Sequence, residues 1–168
     1  KRIPLPIVAS PSGVLNLCNG AVQELQASSK LIDSAIIGTG TVNIGSATGN
    51  PFRPGAGNTS HRLQYLITAA ELNATSLQAG AITALGFTAN NVSTGTMTNY
   101  QIRLGHTAAT TLSTTFLAQP STLVHNAATY GPTIVGWNMF YFNQSNVFEW
   151  NGTDNILVEI CYTTTSGT

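Results

Sequence analysis

Short stretches in which apolar and polar residues alternate dominate this chain. Tyr100, Ile102 and Leu104 alternate with polar residues, and the stretches 62–67 and 156–162 follow the same period of two. Successive side chains of an extended backbone point to opposite faces, so each stretch is predicted to be a β-strand with one face in a core.

Two further runs are predicted to be more deeply buried. The run 136–142 carries aromatic residues at positions of both parities, which is typical of a central strand, and the run 147–150 leads into Asn151-Gly152, a strong hairpin signal. Clusters of Gly, Ser, Thr and Asn separate the runs at short spacing. This rhythm predicts an all-β fold, namely a jelly-roll-like antiparallel β-sandwich.

Helical signals are few. Thr68 and Glu71 have the spacing of a capping box, which predicts one helical turn after Thr68. The spacing of Val22 and Leu25 favours a short helix within 21–31. We therefore expect at most one or two short helical turns, an N-terminal extension over 1–34 that is a donor strand or a linker, and a sandwich domain over 35–168.

Charge is scarce. The 168 residues include six basic and six acidic side chains, 7% of the chain, with a formal net charge of zero; about 25% is ordinary. The basic residues are scattered, which argues against a nucleic-acid partner. No run of eighteen or more apolar residues occurs, so no membrane insertion is predicted. A net charge near zero favours self-association, as a homo-oligomer or polymer.

The candidate chemistry does not indicate an enzyme. The carboxylates are too scattered for a catalytic pair, the three histidines lack metal-ligand spacing, and no nucleophile elbow or nucleotide loop is present. We predict a non-enzymatic protein with no catalytic residue, no cofactor and no metal site.

Two residue pairs each have two interpretations. Trp137 and Trp150 either stack on a sugar at the surface or belong to the core. Cys18 and Cys161 either form a disulfide that ties the N-terminal region to the last strand, or remain two buried free thiols.

Five motifs together resemble a recurrent module of secreted Bacteroidetes surface proteins. Their order and spacing are similar over roughly 36–163; they are IGTG (37–40), RLQYLITAAEL (62–72), AGAITALGF (79–87), NYQIRLGHT (99–107) and FEWNGTDNILVE (148–159). The resemblance implies a jelly-roll-like β-sandwich exported by the type IX secretion system, found beside adhesion or protease domains, and non-catalytic. Asp33-Ser34-Ala35 also resembles the O-glycosylation signal of these bacteria, which implies a glycan on Ser34.

These observations predict an extracellular structural or adhesive module of a bacterial cell surface. An apolar N-terminal extension in a chain of near-zero charge suggests self-assembly into a filament by strand donation, with Ile3, Leu5, Ile7 and Val8 as the donor residues. The alternative is a carbohydrate-binding module attached to or targeting a secreted enzyme, with surface glycans as partners. Exposed aromatic residues on one face would favour this alternative.

Overall fold

The computed structural model of the chain describes residues 8–10, 26–28, 34–38, 49–52, 60–92 and 95–164. The chain divides into two compact units, Lys1–Ser34 and Ala35–Thr168. In the first unit, β1 (Val8–Ser10) pairs antiparallel with β2 (Gln26–Ser28). The helix predicted within 21–31 is therefore wrong at Gln26–Ser28, where the backbone pairs with β1. A single apolar spacing is a weak helix signal, and short helices are marginal without packing.

The second unit is built from antiparallel strands. Its elements are β3 (Ser60–Ile67), α1 (Ala69–Ala74), β4 (Gly80–Ile82), β5 (Ala84–Ala89), β6 (Met97–Thr107), β7 (Thr122–Tyr130), β8 (Gly136–Tyr141), a 3-10 turn (Gln144–Asn146), β9 (Phe148–Trp150) and β10 (Asn155–Thr164). One sheet has the order β3-β10-β6-β7, and β4-β9 and β5-β8 form two-stranded ribbons. The all-β prediction is confirmed, whereas jelly-roll sandwich connectivity stays a prediction.

The core lies against one face of the four-stranded sheet. Tyr100, Ile102 and Leu104 of β6 are buried, as the period of two predicts, and Ile102 pairs with Ile160 of β10. The ring of Phe140 in β8 stacks on Tyr100 with centroids 5.4 Å apart. The ribbon β5-β8 therefore packs on this face of the sheet.

The opposite face of the sheet is also partly covered. Leu157 and Glu159 of β10 point away from the core yet are buried. Pro120 lies close to Gly105, where an added Cβ would come within 3.1 Å of Pro120 Cβ. The segment before β7 therefore lies against this face, and we call residues 112–121 the strap.

The predicted capping box is confirmed. Glu71 N donates to Thr68 Oγ1 at 3.2 Å, and Thr68 N donates to Glu71 Oε2 at 2.8 Å. Together these bonds pair backbone amides that the first turn of α1 cannot satisfy internally. The helix buries Leu72.

Two predicted strand arrangements are wrong, namely the central position of the run 136–142 and the hairpin at Asn151-Gly152. The strand β8 is buried on one face only, because among the described strands its neighbour is β5 and no described layer covers its outer face. The Asn151-Gly152 turn is present but does not join a hairpin, since β9 pairs with β4 and β10 pairs with β3 and β6. The turn instead leads the chain from a ribbon into the four-stranded sheet.

Candidate functional site

Three large side chains project from the outer face of β8. Trp137, Met139 and Tyr141 are 47%, 43% and 75% exposed, while the intervening Asn138 and Phe140 are buried. A strand rises by about 3.3 Å per residue, so the Cα atoms of Trp137 and Tyr141 lie about 13 Å apart along β8. We call Trp137, Met139 and Tyr141 the aromatic row.

Small residues on β5 lie across from the aromatic row. Tyr141 pairs with Ala84, Met139 with Gly86, and Trp137 with Thr88. A Cβ added at Gly86 would overlap Met139 Sδ and would lie 3.3 Å from Trp137 Cε3. The Met139 side chain therefore lies over the Gly86 backbone, and the absence of a side chain there leaves room for the row to spread across the ribbon.

The apolar surface extends beyond β8 at its start. Ile134 and Val135, which immediately precede the strand, are exposed. Together with the aromatic row they place five large apolar side chains within eight consecutive residues on the surface. Exposed large apolar side chains that lie close together in a chain are candidates for an interaction surface.

A polar groove begins where the aromatic row ends. Eight residues line it, namely Leu123, Val124, His125, Asn126, Tyr141, Phe142, Asn143 and Asn146. The three asparagines are exposed, and within the described residues their side-chain amides have no hydrogen-bond partner. Burial lowers the pKa of His125, which keeps its imidazole neutral at pH 7. We call this feature the amide groove.

The two tryptophans have different environments. Trp150 is 2% exposed, and its Nε1 donates to the carbonyl oxygen of Asp154 at 2.8 Å. The sugar-stacking role considered for Trp150 is wrong, because neither face of its ring is open to a ligand. Trp137 remains a candidate, and it is joined by Tyr141, which the sequence interpretation did not single out.

The predicted disulfide is not decided by the described residues. Cys161 is a half-buried free thiol whose Sγ lies 3.6 Å from Glu159 Oε1. Burial and the Glu159 charge raise the pKa of Cys161 to about 11. Cys18 lies outside the described residues, so its pairing with Cys161 stays a prediction.

The remaining predicted residues lie in or next to the first unit. Ser34 is exposed, so its hydroxyl is accessible to a modifying enzyme, and its O-glycosylation stays a prediction. Val8 pairs with Ser28 between β1 and β2. Ile3, Leu5 and Ile7 lie outside the described residues, and the donor-strand role stays a prediction for all four.

Glu159 is the centre of a polar cluster that the sequence did not reveal. Its Oε2 accepts from Arg62 Nη2 at 2.8 Å and from Gln64 Nε2 at 2.7 Å, and its Oε1 accepts from Gln119 Nε2 at 2.9 Å. Burial alone raises the pKa of Glu159, but these hydrogen bonds and the charge of Arg62 outweigh burial and lower it. Both carboxylate oxygens are engaged, so the cluster is suited to structure rather than to proton transfer.

The same cluster holds the strap. Arg62 Nη2 and Gln64 Nε2 both donate to the Leu117 carbonyl oxygen, at 3.1 and 3.0 Å, and Leu117 N donates to Gln64 Oε1 at 2.9 Å. The guanidinium of Arg62 also lies 4.7 Å from the centre of the Phe116 ring. The hydrogen bonds around the buried Glu159 carboxylate therefore hold the strap against the sheet.

Metal binding and membrane crossing by a helix have no support in the described part of the chain. No group of three or more His, Cys, Asp or Glu side chains there could hold a metal ion. None of the described helices has the length and apolar character needed to cross a membrane. Comparisons of the chain with protein families, curated proteins and solved structures found no match.

Proposed function

We propose that this protein is a non-enzymatic adhesive module of an extracellular bacterial surface, which binds carbohydrate through the aromatic row. The observation that carries the proposal is the exposure of Trp137 and Tyr141 on one face of a ribbon whose opposing residues are small. Aromatic faces carry partial negative charge and attract the C–H groups on the apolar face of a sugar ring. Rings spaced along one strand suit an extended chain of sugars.

Composition supports a neutral partner. Charged residues make up 7% of the chain and the formal net charge is zero, so long-range attraction to an acidic or basic ligand is weak. The extracellular bacterial setting is supported by the motifs that resemble secreted Bacteroidetes modules and by a sequence rich in uncharged polar residues. Low charge and few carboxylates also support a binding role without catalysis.

The direct test measures binding of the full chain to neutral polysaccharides by affinity electrophoresis and calorimetry. W137A and Y141A are each expected to weaken binding tenfold or more, equivalent to about 1.4 kcal/mol. F116A removes an exposed ring outside the row and serves as the matched control, with binding expected to be unchanged. A wild-type chain that binds none of the polysaccharides would contradict the proposal.

Gly86 offers a test of the shape of the row. Valine is compatible with a strand, but at Gly86 its side chain must displace Met139 and press on Trp137. We expect G86V to weaken carbohydrate binding while the melting temperature changes little, since Met139 is flexible and exposed. T88V, an isosteric change across from Trp137, is the control. Equal affinity of G86V and the wild type would argue against the row as the binding surface.

A strand-donating filament subunit is the second candidate. It is favoured by β8, which has β5 as its one hydrogen-bonded neighbour among the described strands, leaving an edge to which a strand could add. Donation of Ile3, Leu5, Ile7 and Val8 would require the Val8–Ser28 pair to open.

Negative-stain electron microscopy of the purified chain tests this second candidate. Regular filaments that disappear when residues 1–12 are deleted, and also in I3S/L5S/I7S at full length, would support strand donation. Monodisperse wild-type monomers, or filaments unchanged by both alterations, would contradict it.

A further inference from the structure

The strap is held to the sheet by polar contacts more than by apolar burial. Among its residues Pro120 alone is buried and Leu117 is half-buried, whereas Leu112 and Phe116 are 37% and 50% exposed. The strap contains no strand, so no backbone ladder joins it to the sheet. A segment with few buried apolar contacts opens locally at a low free-energy cost. The closed position of the strap therefore depends on the side chains that bind it.

These side chains converge on the Glu159 carboxylate. Its Oε2 accepts from Arg62 and Gln64 of β3, and both of these residues also donate to the Leu117 carbonyl oxygen. Its Oε1 accepts from Gln119, which belongs to the strap itself. One buried carboxylate therefore orients the donors on both sides of the contact between strap and sheet.

Few charged or titratable groups face Glu159. Arg62 of β3 forms a salt bridge with it at 2.8 Å, and Arg103, its partner on β6, donates from Nη1 to the Ser121 carbonyl oxygen at 3.3 Å. On β10 itself the Cys161 thiol lies 3.6 Å from Glu159 Oε1, and its pKa of about 11 keeps it neutral in acid. The strap has no Asp, Glu, His, Lys or Arg. Among these groups Glu159 alone changes its charge as pH falls.

Protonation reverses the part that Glu159 plays in the cluster. A neutral carboxyl no longer balances the charge of Arg62, and one of its oxygens becomes a donor that faces other donors. The pKa of Glu159 is lower than 4.5 in the folded protein, so this change occurs below about pH 4.5. We infer that the strap is an acid-released cover: protonation of Glu159 frees residues 112–121 from the outer face of the sheet while the strands beneath stay paired.

Release of the strap uncovers a part of the sheet that is otherwise closed. Leu157 is 4% exposed, and it pairs with Gly105, the residue against which Pro120 lies. An open strap therefore adds an apolar side chain, together with the side-chain amide of Gln64, to the accessible surface. None of these residues belongs to the aromatic row, so the inference does not depend on the proposed carbohydrate binding.

Amide hydrogen exchange of the full chain, followed by NMR, tests this inference. The Leu117 amide donates to Gln64 Oε1 and reports on the strap, whereas the Val158 amide lies in a strand paired on both sides and reports on the sheet. Each rate is compared with that of an unfolded chain at the same pH, which gives a protection factor. Between about pH 6 and pH 3, protection of Leu117 should fall about tenfold or more while Val158 stays protected.

Variants identify the group responsible. E159Q should have low protection at Leu117 already at about pH 6, with little further change in acid. E149Q, at an exposed carboxylate of β9, is the matched control and should follow the wild type. Q119A removes the contact between the strap and Glu159 but keeps the carboxylate, so it provides a test even if E159Q does not fold. It should lower the protection of Leu117 at about pH 6.

Three results would overturn the inference. The first is protection of Leu117 that stays constant in the wild type down to about pH 3. The second is a simultaneous loss of protection at Leu117 and Val158, since acid would then unfold the sheet together with the strap. The third is wild-type protection of Leu117 in Q119A at about pH 6, which would mean that the carboxylate does not hold the strap.

Discussion

Glu159 shows how much a single residue in this protein depends on its neighbours. Its side chain is fully buried, whereas its partner Arg62 is 38% exposed. Burying a carboxylate is unfavourable unless hydrogen bonds and an opposite charge compensate, and here Arg62, Gln64 and Gln119 supply both. The residue therefore stabilises the strap only as part of the complete cluster.

Replacement of Glu159 by glutamine should be destabilising. E159Q keeps the shape of the side chain but removes its charge and replaces one acceptor oxygen by an NH₂ group. That group would face the N–H donors of Arg62, Gln64 or Gln119 and could not accept from them. We expect the free energy of unfolding, measured with urea, to fall by about 2 kcal/mol, the range for hydrogen bonds to charged groups. E149Q, at an exposed carboxylate of β9, is the control and should change stability by less than about 0.5 kcal/mol. Equal effects of the two substitutions would contradict the role of the cluster.

The stability that Glu159 contributes should depend on pH. Its pKa in the folded protein is lower than the ordinary value of 4.5, so the unfolded chain takes up the proton first as pH falls. The contribution is fully present above pH 4.5 and is lost as pH falls through the folded-state pKa. We therefore expect the difference in unfolding free energy between the wild type and E159Q to narrow below about pH 4.5. A difference that stays constant down to pH 2.5 would contradict this assignment.

At the scale of elements, some parts of the fold are determined by neighbouring residues and others by contacts between residues distant in sequence. The start of α1 is decided locally by Thr68 and Glu71, which are three residues apart. Residues 49–51, by contrast, are held by three strands distant in sequence, since the hydroxyls of Tyr65, Tyr100 and Tyr162 donate to their backbone carbonyl oxygens. The adjacent Phe52 is buried against the rings of Tyr130 and Phe140.

The capping box provides a test at this scale. T68A removes the acceptor for the Glu71 amide and should lower the free energy of unfolding by about 1 kcal/mol. T68S retains the hydroxyl and should stay within a few tenths of a kcal/mol of the wild type. Chemical denaturation of the three proteins measures both differences. A T68S variant as unstable as T68A would mean that the threonine methyl group, and not the cap, stabilises this end of the helix.

At the scale of the whole molecule, buried tyrosines link the core to alkaline stability. Burial raises the pKa of Tyr65, Tyr100 and Tyr130 above the ordinary value of 10.0. The folded protein therefore keeps protons that the unfolded chain releases as pH rises beyond that value. The stabilisation is complete below about pH 10 and declines above it.

Alkaline titration followed by circular dichroism and tyrosinate absorbance tests this expectation. The free energy of unfolding should fall steeply above about pH 10, and ionisation of the buried tyrosines should coincide with unfolding. Y65F removes one of these groups and should make the decline shallower. A wild-type chain that keeps its full stability while all its tyrosines ionise would contradict the buried state of these rings.

The sequence by itself determined the features that arise from neighbouring residues. The period of two in 62–67, 100–106 and 156–162 identified strands and their core faces, because side-chain direction alternates in any extended backbone. The spacing of Thr68 and Glu71 identified the helix start for a similar reason. Scarce and scattered charge likewise argues against a nucleic-acid partner without any knowledge of the fold.

The tertiary structure alone decided which surfaces remain open. Trp137 and Trp150 both lie in apolar runs, yet Trp150 is buried and Trp137 is exposed, because no described layer covers the outer face of β8. The burial of Glu159 likewise depends on Gln119 of the strap, which is distant from it in sequence. Burial against distant segments is a property of the whole fold, so no local pattern could show that the outer face of β8 stays exposed.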